Sequence, residues 1–120
     1  MSMESNPFSL CGRTILVTGG SSGIGRAVAV GAVRMGARIA VLGRTPDKVQ
    51  ETLSLLEGTG HVGHVSDLTK LDGIEGDVQA VLDRSGPFGG LVHSAGASDV
   101  TLLRDIDMKK AEQQMRLNWL

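Results

Sequence analysis

Two kinds of hydrophobic pattern alternate along this 120-residue chain. Short apolar runs that end at glycine predict strands, and segments whose apolar residues recur every three or four positions predict amphipathic helices. The first run, residues 13–18, is mostly β-branched and apolar, as expected of a strand buried on both faces. The patterns predict strands at 13–18, 38–42, 61–65 and from 90 into a small-residue turn at 94–96, and helices at 24–35, 46–57, 72–84 and from 107 onward.

Helical spacing also predicts which face of a helix is buried. In the first helix we expect a buried stripe, with Arg26 and Arg34 left to solvent. That stripe consists of Ile24, Ala27, Val28, Gly31, Ala32 and Met35. In the last helix Met108 and Met115 are predicted core residues, and Asn118 shares the face of Met115.

The order of the elements predicts the topology. Strands that alternate with helices at this rhythm pair in parallel through right-handed crossovers, which gives a three-layer α/β/α fold with strand order 3-2-1-4. In such a sheet a ligand is expected at the carboxyl ends of strands 1 and 4, where the order reverses. Thr45 is a predicted N-cap, with Pro46 as the first residue of its helix, and Asp107 is the predicted cap of the last helix.

A glycine-rich stretch at residues 18–25 separates the first strand from the first helix. It reads Thr-Gly-Gly-Ser-Ser-Gly-Ile-Gly. Backbone N–H groups at a helix N-terminus, reached through glycines that allow close approach, form an anion site that suits a pyrophosphate. The alternative is a glycine-rich turn without a ligand. The candidate cofactor-binding residues here are Gly19, Ser21, Ser22, Gly23, Ile24 and Gly25.

Composition narrows the function further. Twelve basic and 13 acidic residues give a net charge of −1, which offers no electrostatic footprint for nucleic acid or an anionic membrane. Cys11 is the single cysteine, and no long apolar run predicts a membrane span, so a soluble cytoplasmic protein is expected. His61 and His64 lie three apart on a predicted strand and would face opposite sides, so no metal site is predicted.

Four motifs in order make residues 12–120 resemble the short-chain dehydrogenase/reductase family. The glycine stretch matches the family pattern Thr-Gly-x-x-x-Gly-x-Gly, and Asp67-Leu68 matches the pair that holds the adenine ring. The tetrapeptide His93-Ser94-Ala95-Gly96 falls where the family usually has Asn-Asn-Ala-Gly, so Ala95 and Gly96 match while the two asparagines are replaced. Asn118 matches the asparagine that holds a water in the family's proton relay. The resemblance implies a Rossmann fold, with His93, Ala95 and Gly96 beside the cofactor and Asn118 in a catalytic role.

The resemblance also implies a catalytic tyrosine, with a serine and a lysine, and the chain contains no tyrosine. We therefore expect a single domain that is the N-terminal, cofactor-binding half of a longer enzyme, inactive by itself. The implied partner is a small-molecule carbonyl or alcohol, and a homo-oligomer is expected by analogy alone. The alternatives are a non-catalytic module that binds a dinucleotide and, less favoured, a methyltransferase-like domain.

The end of the second strand bears on cofactor choice. Family members that prefer NAD usually carry an acid there, and this chain has Gly43 followed by Arg44. A guanidinium at that point can pair with a 2′-phosphate, which favours NADP(H), with NAD(H) as the alternative. Ser22 stands where many NADP-preferring relatives have a basic residue, and Arg44 could also be a solvated turn arginine.

Overall fold

A computed structural model describes residues 7–96 and 107–118 of the chain. Four strands and four helices alternate in it, as the hydrophobic pattern predicts. The elements are β1 (Thr14–Thr18), α1 (Gly23–Arg34), β2 (Arg38–Gly43), α2 (Pro46–Leu55), β3 (Val62–Val65), α3 (Leu71–Ser85), β4 (Gly90–His93) and α4 (Met108–Asn118). Their ends agree with the predicted ones to within a few residues.

The four strands form one parallel sheet in the order β3-β2-β1-β4, which confirms the predicted topology. Strand β1 is central. Its Thr18 lies opposite Leu42 of β2 and opposite His93 of β4, so the carboxyl ends of these three strands are level. The loops that follow these three strands therefore start side by side, and the candidate site lies at these carboxyl ends.

Helices cover both faces of the sheet. Val17, Ile39 and Val41 point to one face, where they pack with Ala29 of α1 and Val49 of α2. The alternate residues Leu16, Ala40 and Leu42 point to the other face and pack with Val81 of α3. This alternation along β1 and β2 is the reason that both strands are apolar throughout. Among the described residues, no helix combines the length and apolarity needed to cross a membrane.

The predicted buried face of α1 is wrong. Ile24 is 79% exposed and Val28 is 36% exposed, whereas Gly25 and Ala29 are the buried residues of the helix. The physical reason is that α1 makes its closest contacts through its smallest residues: a Cβ on Gly25 would overlap the carbonyl oxygen of Gly19. Ala32, which the stripe also contained, does pack against the core. The spacing of apolar residues did not indicate that Gly25 and Ala29 face the core, because alanine and glycine contribute little to an apolar pattern.

The prediction for α4 is also wrong for its methionines. Met108 is 76% exposed and Met115 is 51% exposed. Helical spacing shows which residues share a face but not whether an element covers that face. The predicted cap is confirmed, since the Lys109 N–H donates to Asp107 Oδ1 at 2.9 Å. At α2, Thr45 is the N-cap residue and Pro46 follows it, but the Thr45 side chain makes no capping hydrogen bond.

Candidate functional site

A cavity of 480 Å³ lies at the carboxyl ends of β1, β2 and β4. The glycine loop after β1 forms one wall, the end of β2 and the start of α2 form the rim, and the turn after β4 closes the far side. Its lining residues are Gly19, Ser21, Ser22, Gly23, Ile24, Gly25, Leu42, Gly43, Arg44, Thr45, Lys48, Ser66, Leu68, Ser94, Ala95, Gly96 and Leu117. The cavity thus brings together ten of the twelve candidate cofactor-binding residues, namely Gly19, Ser21, Ser22, Gly23, Ile24, Gly25, Arg44, Leu68, Ala95 and Gly96.

The glycines of the loop are required for two different reasons, steric confinement and a positive φ. Gly19 has a φ of 69°, and a Cβ there would lie 2.6 Å from the Ala95 backbone nitrogen, so the loop crosses the β4 turn at backbone contact distance. Gly25 is equally confined, as described above. Gly23 differs: its φ is 57°, yet a Cβ there would meet no atom of the described residues within 4 Å. The space in front of Gly23 is open, and it belongs to the cavity.

The N-terminus of α1 faces this cavity without a side-chain cap. Ser22 is the N-cap residue, and its side chain makes no capping hydrogen bond. The first bond of the helical ladder runs from the Arg26 N–H to the Ser22 carbonyl at 3.3 Å, so the N–H groups of residues 23–25 precede the ladder. The first turn carries no acidic residue. The positive end of the helix dipole is therefore available to an anion.

The rim beside the loop is basic. Arg44 and Lys48 both line the cavity and both are exposed. Gly43, at the end of β2, has no room for a side chain, because a Cβ there would lie 2.7 Å from Ser21 Cβ and 2.8 Å from Val49 Cγ2. The structure thus explains why no acid stands at Gly43. Lys48 was missed from the sequence, although its place four residues after Arg44 puts it in the first turn of α2.

The turn after β3 contributes Ser66 and Leu68 but not the carboxylate between them. Asp67 Oδ1 accepts hydrogen bonds from the Thr69 hydroxyl at 2.6 Å and from the Thr69 N–H at 3.0 Å. These two bonds, the hydroxyl first, lower the pKa of Asp67 below its ordinary value. Asp67 therefore stabilises its own turn, and it is not among the residues that line the cavity.

His93 is likewise absent from the cavity wall. Its Nδ1 shares a hydrogen bond of 2.6 Å with the Thr18 hydroxyl, which joins the ends of β4 and β1. The neighbouring Ser94, which was not predicted, lines the cavity and donates its hydroxyl hydrogen to the Thr18 carbonyl at 2.8 Å.

Asn118 lies next to the wall. Its Oδ1 would be 2.9 Å from a Cβ on Gly96, and its neighbour Leu117 lines the cavity. The remaining histidines serve the scaffold: His61 Nδ1 accepts the Ile39 N–H at 3.1 Å, and His64 bonds to Asp77. Among the described residues, no cluster of three or more His, Cys, Asp or Glu side chains is arranged to hold a metal ion.

Comparison with known families gives a direct result. The family model described as short chain dehydrogenase matches residues 13–120. The chain belongs to this family. The match begins one residue before β1 and includes the glycine loop, both basic rim residues and α4.

Individual relatives agree with this assignment. The rhamnolipids biosynthesis 3-oxoacyl-[acyl-carrier-protein] reductase of Pseudomonas aeruginosa is 35% identical over 112 residues, which is 92% of this chain and 44% of that protein. A Pseudomonas aeruginosa RhlG/NADP active-site complex superposes with a TM-score of 0.84 at 34% identity, over 93% of this chain and 44% of the other. An actinorhodin polyketide ketoreductase with NADPH gives a TM-score of 0.81 at 28% identity, over 98% and 43%. The chain thus spans less than half the length of these proteins.

Proposed function

We propose that the cavity is the NADP(H) site of a short-chain dehydrogenase/reductase that reduces a carbonyl or oxidises an alcohol. The observation that carries the proposal is the meeting of an uncapped helix N-terminus with two basic rim residues, Arg44 and Lys48, in one cavity. Such a site offers hydrogen-bond donors and positive charge at two places, as a dinucleotide with an extra phosphate requires. Two relatives whose structures are named as complexes with NADP or NADPH support this choice.

The residues present fit the parts of this cofactor. The N–H groups of residues 23–25 and the Ser22 hydroxyl would hold the pyrophosphate, and the open space before Gly23 allows it to approach. Leu68 would pack on the adenine, with Asp67 beside it. Ala95 and Gly96 would lie along the ribose and nicotinamide half, close to Asn118. When bound, the nicotinamide supplies the hydride.

Preference for NADP(H) over NAD(H) rests on the end of β2. An acid at Gly43 would accept hydrogen bonds from the free ribose hydroxyls of NAD, and the crowding by Ser21 and Val49 excludes any side chain there. The planar guanidinium of Arg44 can instead make charge-assisted bonds to a 2′-phosphate. NAD(H) binding without this phosphate contact is the alternative.

The proposal assigns no proton donor to these 120 residues, since they include no tyrosine. Asn118 is proposed to hold a water for proton relay, as its match to the family asparagine implies. The second candidate is a non-catalytic module that binds the dinucleotide. It shares the whole cavity with the first and differs only in the absence of turnover.

Substitution of Arg44 by alanine tests the cofactor assignment. Loss of a hydrogen bond to a charged group costs about 1.5–3 kcal/mol, so Arg44→Ala should weaken NADPH binding by roughly 10- to 100-fold and leave NADH binding unchanged. Calorimetric titration of both cofactors measures this, with Arg34→Ala as the matched control, because Arg34 is exposed on α1 and does not line the cavity. In the same samples a carbonyl compound should leave NADPH unoxidised.

Equal losses for both cofactors in Arg44→Ala would show that the arginine holds the turn and not the phosphate. If the parent chain steadily oxidises NADPH when a carbonyl compound is present, these 120 residues do contain a proton donor, and that part of the proposal is wrong.

A further inference from the structure

Arg26 lies in the first turn of α1 and is not among the residues that line the cavity. Its Nη2 donates to the Ser21 carbonyl at 2.5 Å and to the Lys48 carbonyl at 3.3 Å. Its Nε donates to Thr52 Oγ1 at 2.9 Å, and its Nη1 contacts Glu51 Oε1 at 3.3 Å. The prediction that Arg26 is left to solvent is wrong, because its side chain is only 22% exposed.

A cation in the first turn of a helix is unfavourable, because it lies at the positive end of the helix dipole. The position of Arg26 is explained by its acceptors, since each lies on the glycine loop or on α2. The guanidinium therefore joins two elements that β2 separates in sequence. Two of the acceptor residues lie on α2: Lys48, which is itself a basic rim residue, and Glu51.

Thr52 extends the same connection. It is completely buried, with 0% exposure, and its hydroxyl donates to the Gly20 carbonyl at 2.9 Å while accepting from Arg26. A buried hydroxyl with both roles satisfied has a defined rotamer and stabilises the groups that it joins. Arg26 and Thr52 thus hold two consecutive carbonyls of the loop, those of Ser21 and Gly20. We call this pair the Arg26–Thr52 clamp.

The clamp fixes the direction of the following N–H groups. In a trans peptide the C=O of one residue and the N–H of the next point in opposite directions. With the carbonyls of Gly20 and Ser21 held toward α2, the N–H groups of Ser21 and Ser22 point the opposite way. Ser21 and Ser22 line the cavity, whereas Gly20, Arg26 and Thr52 do not.

We infer that Arg26 and Thr52 are positioning residues that orient the Ser21 and Ser22 amides toward the pyrophosphate, next to the N–H groups of residues 23–25. This inference rests on the proposed function, and it names how the loop acquires its binding geometry. Because the pyrophosphate is common to NADP(H) and NAD(H), the clamp contributes to the affinity for both. It therefore differs in kind from Arg44, which acts on the 2′-phosphate alone.

Three variants test the clamp by titration with NADPH and NADH. Thr52→Val keeps the shape and removes the hydroxyl, Thr52→Ser restores the hydroxyl, and Arg26→Met removes the guanidinium. Thr52→Val and Arg26→Met should each weaken both cofactors by the same factor, about tenfold, so that the NADPH to NADH ratio stays at the parent value. Thr52→Ser should bind within about threefold of the parent.

Arg84→Met is the matched control for stability. Arg84 lies on α3 and donates to the Gly63 carbonyl at 3.0 Å, so it also joins a helix to backbone, but neither residue lines the cavity. It should lower the midpoint of urea unfolding as Arg26→Met does and leave both affinities unchanged. Amide hydrogen exchange of the cofactor-free chain gives a second readout, in which Thr52→Val should speed exchange at Ser21.

The outcomes separate this inference from the proposed function. If the parent binds and Thr52→Val and Arg26→Met bind equally well, the clamp inference is wrong and the proposed function stands. If Arg84→Met loses affinity as much as Arg26→Met, the effect is one of general stability and the inference is wrong. If the parent binds neither cofactor, the proposed function is wrong, and the inference with it.

Discussion

At the scale of single residues, the glycines of the loop show what the sequence could and could not predict. Their spacing predicted an anion site between β1 and α1, and the cavity includes Gly19, Gly23 and Gly25. The reason why each position needs a glycine could not be predicted from the sequence. Gly19 and Gly25 leave room for the protein's own backbone, while Gly23 adopts a positive φ in front of open space.

Gly23→Ala separates the turn from the ligand. Among the described residues, a Cβ at Gly23 meets no atom within 4 Å, so we expect it to strain the backbone and to occupy the space of a bound molecule. Gly58 is the matched control, because its φ is 81° and a Cβ there also meets nothing within 4 Å. Both variants should lose stability by about 1–2 kcal/mol in urea unfolding. Gly23→Ala alone should also weaken NADPH binding, by roughly tenfold or more.

If Gly23→Ala and Gly58→Ala bind NADPH equally well, the glycine at 23 serves the turn alone. The pyrophosphate would then have to lie elsewhere in the cavity.

Other residues at this scale show what a motif match leaves undetermined. Asp67 and His93 match the positions of family residues that face the cofactor, but each is bound to a near neighbour, Thr69 or Thr18. Lys48 lines the cavity and has no place in the motif. A motif fixes where the backbone passes, whereas the direction of a side chain depends on the hydrogen bonds offered nearby.

At the scale of elements, the sheet was more predictable than the faces of the helices. Continuous apolar runs identify strands buried on both sides, and alternation with helices determines their order. The face of α1 was predicted incorrectly, because Gly25 and Ala29 make the close contact while the larger Ile24 is exposed. In α2 and at its C-cap, by contrast, large residues do fill the core, namely Val49, Leu53 and Leu56.

The junction of β3 and α3 depends on Asp77. Its Oδ2 accepts the Ser66 hydroxyl at 2.7 Å and its Oδ1 accepts His64 Nε2 at 2.8 Å. The Ser66 bond, followed by the His64 bond, lowers the pKa of Asp77 below its ordinary value of 3.8. A lowered pKa in the folded state stabilises the protein above the unfolded value, and this stabilisation is lost as the pH falls through the lowered pKa.

Asp77→Asn should therefore unfold at lower urea than the parent at pH 7, and the difference should shrink as the pH falls below about 3.8. Asp83→Asn is the control, because Asp83 lies on the same helix and bonds only to Gln79 at an exposed position. A difference between parent and Asp77→Asn that stays constant down to pH 2 would contradict a role for the charge of Asp77.

At the scale of the whole molecule, the described residues form a sheet of four strands that carries the candidate site. The order 3-2-1-4 brings the carboxyl ends of β1, β2 and β4 together. The cavity lies there, between the loop after β1, the end of β2 and the turn after β4. This part of the account was predictable from the order of the elements. Of the two basic rim residues, Arg44 could be predicted because it directly follows β2. Lys48 could not, because its place at the cavity depends on the direction in which α2 runs.

The proposed binding of NADP(H) at the carboxyl ends of these strands can be tested by backbone amide chemical shifts. Titration of the isotope-labelled 120-residue chain with NADP⁺ should give saturable shifts that concentrate at residues 21–25, at Arg44 and at residues 94–96, with the amides of α3 largely unmoved. Saturation with these positions unchanged, or no saturable shift at any amide, would contradict the account.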